Sequence, residues 1–329
     1  MKTYQIVGIG NAVVDVISQC DDSFLDHMGI EKGIMQLIER DRGEVLYGAM
    51  EGRVQTPGGS VANTIAGAGA LGIDAAFIGR VHDDALGRFY ADAMNEDGVD
   101  FVNPPVPGGE LPTSRSMIFV SPDGERSMNT YLGISSELSS ADVPNEVAGQ
   151  TQIMFLEGYL FDKDKGKTAF MEAARDCRKG GGKPGIAISD PFCVERHRAD
   201  FLSLIENELE FVIGNEAEIR SLFETEDLEE ALAKTAAICP LVVCTRSGDG
   251  VSVIAGETRI DVPVTKVVPV DATGAGDQFA AGFLFGLATG RDLETCAKIG
   301  NICAAEVISH IGPRPEKDMR AVLQAEGLL

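Results

Sequence analysis

A glycine-rich turn that runs directly into an apolar helix is the part of this sequence best suited to chemistry. It reads Val270-Asp-Ala-Thr-Gly-Ala-Gly-Asp-Gln-Phe-Ala-Ala-Gly282. The first turn of a helix leaves backbone N–H groups without partners, and the helix dipole favours negative charge there. Small side chains let an anion approach the backbone closely. We therefore expect Gly274, Ala275 and Gly276 to hold a phosphoryl group during its transfer.

Asp277 lies at the start of the same helix, beside the expected phosphoryl position. Because an aspartate is a weak base at neutral pH, it would align an attacking hydroxyl group and accept its proton late in the reaction. That is the role of the aspartate base in kinases. The alternative is a structural loop whose aspartate only interacts with the helix dipole.

A second glycine turn reads Pro57-Gly-Gly-Ser-Val-Ala-Asn63. It predicts the start of another helix, with Ser60 as its N-cap. Gly58 and Gly59 permit a close approach to a ligand hydroxyl group, and Asn63 offers both a donor and an acceptor. Asp15, just after the first strand, is suited to accept two sugar hydroxyl protons. Taken singly, each of these features is more often a plain helix cap or a surface carboxylate.

Two further segments have both a structural and a functional interpretation. Asn215 and Glu218 have the spacing of a helix N-terminal capping box, and the same pair is suited to magnesium and phosphate binding. The turn Thr245-Arg-Ser-Gly-Asp-Gly250 follows an apolar run. It is expected either to line a nucleotide base site or to be a plain hairpin turn.

Several classes of protein are disfavoured. The formal net charge of −23 repels nucleic acid, and the chain has neither a P-loop nor a complete dinucleotide fingerprint. The first residues read as a strand rather than a leader, and no apolar stretch is long enough to span a membrane. The seven cysteines are irregularly spaced. We expect a reduced, cytoplasmic protein without structural zinc, binding small molecules only.

Apolar runs of strand type occur at residues 5–10, 75–78, 153–156, 186–188, 211–213 and 241–245, and amphipathic helical stretches lie between them. This alternation predicts an α/β fold with a doubly wound, mainly parallel sheet and helices on both faces. Residues 11–55 and 101–131 break the pattern and predict a small β lid. The second of them contains a hairpin signal, Ser121-Pro-Asp-Gly124, and a Pro/Gly-rich connection at residues 104–112.

The two glycine turns and the Asn215–Glu218 pair, in this order along the chain, resemble the signature motifs of the ribokinase-like (PfkB) kinases. The resemblance covers nearly the whole chain and implies a single domain over residues 1–329 with an inserted β lid. It also implies phosphorylation of a primary hydroxyl group by ATP with Mg²⁺, by a monomer or a homodimer. Ala272 stands where many members have a hydroxyl residue, which leaves activation by K⁺ open.

The resemblance assigns roles by position. Asp277 is the catalytic base, Gly274 to Gly276 form the anion hole, and Asn215 with Glu218 organises magnesium through water. Binding of the acceptor's hydroxyl groups is assigned to Asp15, Gly58, Gly59 and Asn63. Binding of the ATP base and ribose is assigned to Thr245, Ser247, Gly248, Gly250 and Asn301. Either Arg115 or Arg126, near the lid, is expected to contact phosphate.

Within the family the chain is similar to adenosine kinases at five places: Gln36-Leu37, Gly158-Tyr159, Pro191-Phe192, Gly214-Asn-Glu-Ala-Glu218 and Pro315-Glu-Lys317. Gln36, Tyr159 and Phe192 then belong to the substrate site, where an aromatic ring can stack on a purine. The alternative for both aromatic residues is packing in the core. Adenosine is thus the expected substrate. A sugar kinase acting on ribose, fructose or 2-keto-3-deoxygluconate is the first alternative, and a non-catalytic nucleoside-binding protein is the second.

Overall fold

The computed structural model describes residues 4–329, apart from the side chain of Asp162. In this range the strands are β1 (Ile6–Ile9), β2 (Val13–Gln19), β3 (Met35–Leu37), β4 (Val54–Gly58), β5 (Ala75–Ile78), β6 (Val99–Phe101), β7 (Ser114–Val120), β8 (Arg126–Tyr131), β9 (Ile153–Glu157), β10 (Lys183–Ala187), β11 (Phe211–Asn215), β12 (Leu241–Thr245), β13 (Val251–Ala255) and β14 (Thr258–Val262). The helices are α1 (Asp22–Met28), α2 (Arg40–Ala49), α3 (Ser60–Ala70), α4 (Ala85–Glu96), α5 (Asn145–Ala148), α6 (Asp164–Lys179), α7 (Pro191–Glu208), α8 (Glu216–Leu222), α9 (Leu228–Ile238), α10 (Ala275–Ala288), α11 (Leu293–Val307) and α12 (Met319–Ala325). Short 3₁₀ helices lie at Gly133–Glu137, Ser140–Asp142, Gly158–Asp162 and Ser247–Asp249.

The larger sheet has nine strands in the order β14-β13-β12-β11-β10-β9-β1-β5-β6. The strands from β12 to β6 in this order pair in parallel, and β13 and β14 add an antiparallel edge. The six apolar runs found in the sequence form β1, β5, β9, β10, β11 and β12. All of them lie in the parallel part, so the prediction of a mainly parallel sheet is confirmed.

Side chains of the parallel strands alternate between two hydrophobic cores, one on each face of the sheet. On β5, Ala75 and Phe77 belong to the core that also contains apolar residues of α3, α10 and α11. Ala76 and Ile78 belong to the other core, with residues of α6, α7 and α9. Successive residues of a strand point to opposite faces, so both faces of this sheet need apolar cover. The prediction of helices on both faces is confirmed.

A separate five-stranded sheet has the order β3-β8-β7-β2-β4. Its strands come from residues 13–58 and 114–131, close to the two segments where the sequence leaves the α/β alternation. The β7–β8 hairpin turns at Ser121, whose carbonyl accepts a hydrogen bond from the N–H of Gly124 at 2.9 Å. Residues 104–112 connect β6 with β7 and contain an isolated bridge between Val106 and His82.

The carboxyl ends of β1, β9, β10, β11 and β12 lie along one edge of the nine-stranded sheet. Open parallel sheets bind ligands outside this edge, because helix N-termini and loops converge there. Among residues 4–329, the helices fall short of the length and apolarity that crossing a membrane requires.

Candidate active site

A cleft of about 780 Å³ lies between the two sheets. One wall carries residues from the carboxyl ends of β1, β9 and β10, including Asn11 and Glu157. The other wall carries side chains from the five-stranded sheet, including Asp15 on β2. The cleft is therefore at the edge where a parallel sheet is expected to bind its ligand.

Asp277 lies in the first turn of α10 and is held by two donors from α3. Ser60 Oγ donates to its Oδ1 at 2.7 Å, and Asn63 Nδ2 donates to its Oδ2 at 3.1 Å. Burial raises the pKa of Asp277 to about 6, and the two hydrogen bonds oppose this rise. The prediction that Ser60 caps α3 is wrong, because Gly59 is the N-cap and the Ser60 hydroxyl is bonded to Asp277 instead.

The turn before α10 places two glycines in different surroundings. Gly274 is the N-cap, with a φ of 79°, and a Cβ there would lie 2.6 Å from Pro313 Cα. Only glycine meets both conditions without strain. A Cβ on Gly276 would have nothing within 4 Å. The first turn of α10 thus leaves open space next to backbone N–H groups that lack intrahelical partners.

Asp15 projects from β2 into the cleft and is 8% exposed. Burial raises its pKa to about 7, against the opposing charges of Arg126 and Arg314. Among residues 4–329, no group donates a hydrogen bond to its carboxylate. A Cβ on Gly58 would lie 2.6 Å from Asp15 Cγ, so glycine is needed at this position to make room for the carboxylate.

Gly59 and Asn63 form the turn that brings α3 to the cleft. Gly59 has a φ of 101°, and a Cβ there would lie 2.2 Å from the Asn11 carbonyl oxygen. Both values require glycine. Asn63 is buried, and its Oδ1 accepts a hydrogen bond from Nε of Arg314 at 3.4 Å. Arg314 was not predicted from the sequence.

Glu157 is a second residue that sequence reasoning missed. It ends β9, lines the cleft and is almost fully buried. Its carboxylate accepts hydrogen bonds from the backbone and side-chain nitrogens of Asn11, at 3.1 and 2.8 Å, and from Val61 N at 3.0 Å. Burial raises its pKa to about 7. A carboxylate at the end of an apolar strand, Ile-Met-Phe-Leu-Glu, was the available signal.

Apolar side chains lie at the mouth of the cleft, which Asp190 and Arg196 also line. Phe192, near the start of α7, is 68% exposed and lines the cleft together with Met35 and Leu37 of β3. This exposure rules out the alternative that Phe192 packs in the core. Tyr159 also lines the cleft, and its hydroxyl donates to the Ser189 carbonyl oxygen at 3.3 Å. Burial raises the pKa of Tyr159.

Gln36 lies outside this lining. Its Nε2 donates to Asn129 Oδ1 at 2.8 Å, whereas Met35 and Leu37, its neighbours on β3, line the cleft. Because alternate residues of a strand point to opposite faces, either Gln36 or the pair of Met35 and Leu37 can face the ligand, but not both.

Comparison with known proteins identifies the family. Residues 30–319 match the model of the pfkB family carbohydrate kinases. This chain belongs to that family. The kinase is therefore an ATP-dependent phosphotransferase, and its family makes Mg²⁺ the usual companion of ATP.

The solved structures similar to this kinase include both nucleoside and sugar enzymes. An adenosine kinase from Sinorhizobium meliloti is 45% identical, with a TM-score of 0.91, over 99% of this chain and 100% of that one. A probable sugar kinase protein from Rhizobium etli CFN 42 is 41% identical, with a TM-score of 0.92, over 100% of both chains. Among curated proteins, a fructokinase from Klebsiella pneumoniae is 32% identical over 256 residues, which are 72% of this chain and 79% of that protein.

In this kinase the Asn215–Glu218 pair forms a complete capping box on α8. Asn215 Oδ1 accepts from Glu218 N at 2.9 Å, and the Glu218 carboxylate accepts from Asn215 N at 3.0 Å and from Nδ2 at 2.7 Å. The structural interpretation of these residues is thus confirmed. Burial raises the pKa of Glu218 to about 7, and the negative charges of Asp190 and Asp277 act in the same direction.

The assignment of Asn215 and Glu218 to magnesium through water is compatible with this environment. Within residues 4–329, no cluster of three or more histidine, cysteine, aspartate or glutamate side chains could hold a metal ion directly. The carboxylates of Asp190 and Asp277 are close enough to raise the pKa of Glu218. A hydrated cation carrying ATP phosphates suits such an acidic environment.

The remaining residues assigned to ATP lie outside the lining of the cleft. Thr245 ends β12 directly beside Asn215. Ser247 and Gly248 lie in the 3₁₀ helix that follows, with open space next to Gly248. Gly250 and Asn301 meet at the end of β14. A Cβ on Gly250 would lie 2.1 Å from the Val262 carbonyl oxygen, and Asn301 Nδ2 donates to the Pro263 carbonyl oxygen at 3.2 Å.

The two candidate arginines differ in what they contact. Arg126 on β8 pairs with Asp271 at 2.6 Å, which joins the five-stranded sheet to the glycine turn before α10. Arg115 on β7 pairs with Glu44 at 2.5 Å and lies over the ring of Tyr47 at 4.6 Å. Of the two, Arg126 is therefore the one that contacts the glycine turn before α10.

Proposed function

We propose that this kinase transfers the γ-phosphoryl group of ATP to the 5′-hydroxyl group of a ribonucleoside, and that adenosine is its preferred substrate. The observation that carries the proposal is the division of the cleft into a polar floor and an apolar mouth. Asp15, Asn63 and Asp277 supply the floor, and Phe192 with Met35 and Leu37 supplies the mouth. A ribonucleoside has the same division between its ribose and its base.

The polar floor suits the ribose. Asp15 has two carboxylate oxygens and receives no hydrogen bond from residues 4–329, so it can accept hydrogen bonds from two neighbouring hydroxyl groups. Its raised pKa reflects a buried site in which a bound ligand, rather than water, would supply the missing donors. Gly59 and Asn63, on the adjoining turn, are placed to contact the same hydroxyl groups.

Asp277 is the proposed base. Ser60 and Asn63 hold its carboxylate in one orientation, which aligns the primary hydroxyl group for in-line attack. With a pKa of about 6, Asp277 is ionised at neutral pH yet is a stronger base than an ordinary aspartate. The proton of the hydroxyl group passes to Asp277 as the new O–P bond forms and the bond to ADP breaks.

The transferred phosphoryl group would lie at the N-terminus of α10. The N–H groups of Gly274 and Gly276 would offset its negative charge, and the open space beside Gly276 leaves room for its oxygens. The N–H group of Ala275, predicted to act with them, donates to the Ala272 carbonyl oxygen at 3.2 Å. Asn215 and Glu218 would hold Mg²⁺ through water, and the bound ion would supply positive charge to the ATP phosphates. Arg126, paired with Asp271 next to this position, would bring the five-stranded sheet over the substrate as a lid that excludes water.

The apolar mouth would hold the base. Phe192 is 68% exposed, and an exposed aromatic ring beside a polar cleft is suited to stack on a purine. The similarity to the Sinorhizobium meliloti adenosine kinase supports this assignment over most of the chain.

A sugar kinase is the second candidate, because the polar floor would serve a free sugar equally well and a fructokinase is among the relatives. The two candidates differ in whether the apolar mouth contributes to substrate binding.

The test is ADP release with MgATP against adenosine, inosine, ribose, fructose and a ketodeoxy sugar acid, compared as kcat/KM. We expect adenosine to exceed ribose by at least 100-fold, since roughly 3 kcal/mol is available from burying and stacking the base. A higher kcat/KM for any of the sugars would refute the nucleoside assignment and leave the kinase chemistry unchanged.

A further inference from the structure

Arg314 lies behind the cleft, in the segment between α11 and α12. Its side chain is 17% exposed and makes contacts in two directions. Nε donates to Asn63 Oδ1 at 3.4 Å, and Nη1 forms an ion pair with Asp97 at the end of α4. Nη2 lies 3.5 Å from the sulfur of Met94. The hydrogen bonds of Arg314 therefore connect it to Asp277 through Asn63.

The contact with Arg314 selects one orientation of the Asn63 amide. With Oδ1 facing the guanidinium group, Nδ2 faces the Asp277 carboxylate at 3.1 Å. The flipped amide would place its oxygen against the carboxylate and its NH₂ group against the cation, so both contacts would become repulsive. A neutral side chain at position 314 would remove one of the two electrostatic contacts that favour this orientation of the Asn63 amide.

The backbone around Arg314 is held independently of its side chain. Nε2 of Gln278, on α10, donates both to the Asn63 carbonyl oxygen at 3.1 Å and to the Pro313 carbonyl oxygen at 3.0 Å. This bridge fixes the segment against α3 and α10. Replacing the Arg314 side chain should therefore leave the loop in place.

Arg314 also brings positive charge to an acidic site. The titratable groups whose pKa values respond to Asp277 are Asp15 on β2, Glu157 at the end of β9, Tyr159 and Glu218 on α8. Arg314 is the charged group that lowers the pKa of Asp277, and it lowers the pKa of Asp15 together with Arg126. Burial favours the protonated form of Asp277, and the hydrogen bonds from Ser60 and Asn63 oppose it together with the charge of Arg314.

We propose that Arg314 is a positioning residue for phosphoryl transfer, which orients the Asn63 amide toward Asp277 and offsets the negative charge collected around that carboxylate. The inference rests on the proposed function, in which Asp277 must be ionised to accept the hydroxyl proton. It adds a residue from the C-terminal segment to a site otherwise built from strand ends and helix starts.

The test is the single-turnover rate of phosphoryl transfer between pH 5 and pH 9, because single turnovers isolate the chemical step. The wild-type rate should fall as the pH drops through about 6, where Asp277 becomes protonated. In R314M this fall should move upward by about 1 pH unit, which lowers the rate about fivefold at pH 6 and less than twofold at pH 8. R314K, which retains the charge, should restore most of the wild-type profile.

D97N is the matched control, because it removes the same ion pair and leaves the charge of Arg314 in place. The pH at which the single-turnover rate of D97N falls should be the same as in the wild type. An unmoved profile in R314M, an equal loss of rate at every pH, or the same upward movement in D97N would overturn the inference. If R314M fails to fold, R314Q serves the same test, since it is also neutral and can still donate to Asn63.

D277N separates this inference from the proposed function. An active D277N would contradict the proposed base, whatever Arg314 does. An inactive D277N together with an unmoved profile in R314M would overturn the role of Arg314 alone.

Discussion

Replacing Asp15 by asparagine should stabilise the empty kinase at alkaline pH. Asp15 is buried, and its pKa rises from the ordinary 3.8 to about 7. The folded protein thus binds the Asp15 proton more tightly than the unfolded chain. The resulting stabilisation is fully present below pH 4 and is lost as the pH rises through about 7. At about 1.4 kcal/mol for each pH unit, the ionised carboxylate costs about 4 kcal/mol at pH 8.

The assay is urea unfolding of wild type and D15N at pH 5 and pH 8, followed by circular dichroism. Asparagine resembles the protonated carboxyl group and cannot ionise. We therefore expect the advantage of D15N to grow by about 3 kcal/mol between the two pH values. D26N removes the same charge at an exposed position on α1 and should show no such growth. An advantage of D15N that is equal at both pH values would refute the assignment of a buried, proton-binding carboxylate.

The remaining predictions concern the reaction. D277N should lower kcat by a factor of about 10² to 10⁴ and leave adenosine binding, measured by calorimetry, within a few-fold of wild type; an active variant would contradict the role of the base. F192S should raise the KM for adenosine roughly fivefold without affecting ribose, whereas V45S, at another exposed apolar position, should change neither. G274A should lower the free energy of unfolding by at least about 1 kcal/mol because of its positive φ and close backbone contact. G276A should keep the wild-type free energy of unfolding but lower kcat, because the added methyl group would enter the proposed phosphoryl position. An equal loss of stability in G274A and G276A would contradict this difference between the two glycines.

Most of the architecture was predictable because the parallel strands are buried on both faces. Burial on both faces requires continuous apolar runs, and these runs were visible at β1, β5, β9, β10, β11 and β12. The β7–β8 hairpin was predictable for a local reason, since Pro-Asp-Gly favours a turn and Gly124 adopts a φ of 87°. In each case the sequence signal lies within a few consecutive residues.

The contacts of the site were less predictable, because they join distant parts of the chain. Ser60 and Asp277 are bonded across 217 positions, and Arg314 contacts Asn63 across 251. No local pattern distinguishes a serine that caps its own helix from one that bonds an aspartate on another helix. Local preference therefore favoured the wrong partner for Ser60.

Gln36 shows how a motif can lie beside a site without contributing a side chain to it. The resemblance to adenosine kinases predicted that Gln36 of β3 belongs to the substrate site. The strand does reach the cleft, but through Met35 and Leu37. The register of a strand decides which of its alternate side chains face a ligand, and a shift of one residue moves every side chain to the opposite face. Here the pairing of β3 with β8 places Gln36 opposite Asn129.

The identity of the phosphorylated product tests the central claim most directly. The kinase is incubated with MgATP and adenosine, and the products are followed by ³¹P NMR, with 5′-deoxyadenosine as a matched substrate that lacks the attacking hydroxyl group. We expect adenosine to yield ADP and the 5′-phosphomonoester, and 5′-deoxyadenosine to bind without forming a product. Failure to phosphorylate adenosine, or phosphorylation of 5′-deoxyadenosine at another position, would contradict the proposed alignment of the primary hydroxyl group with Asp277.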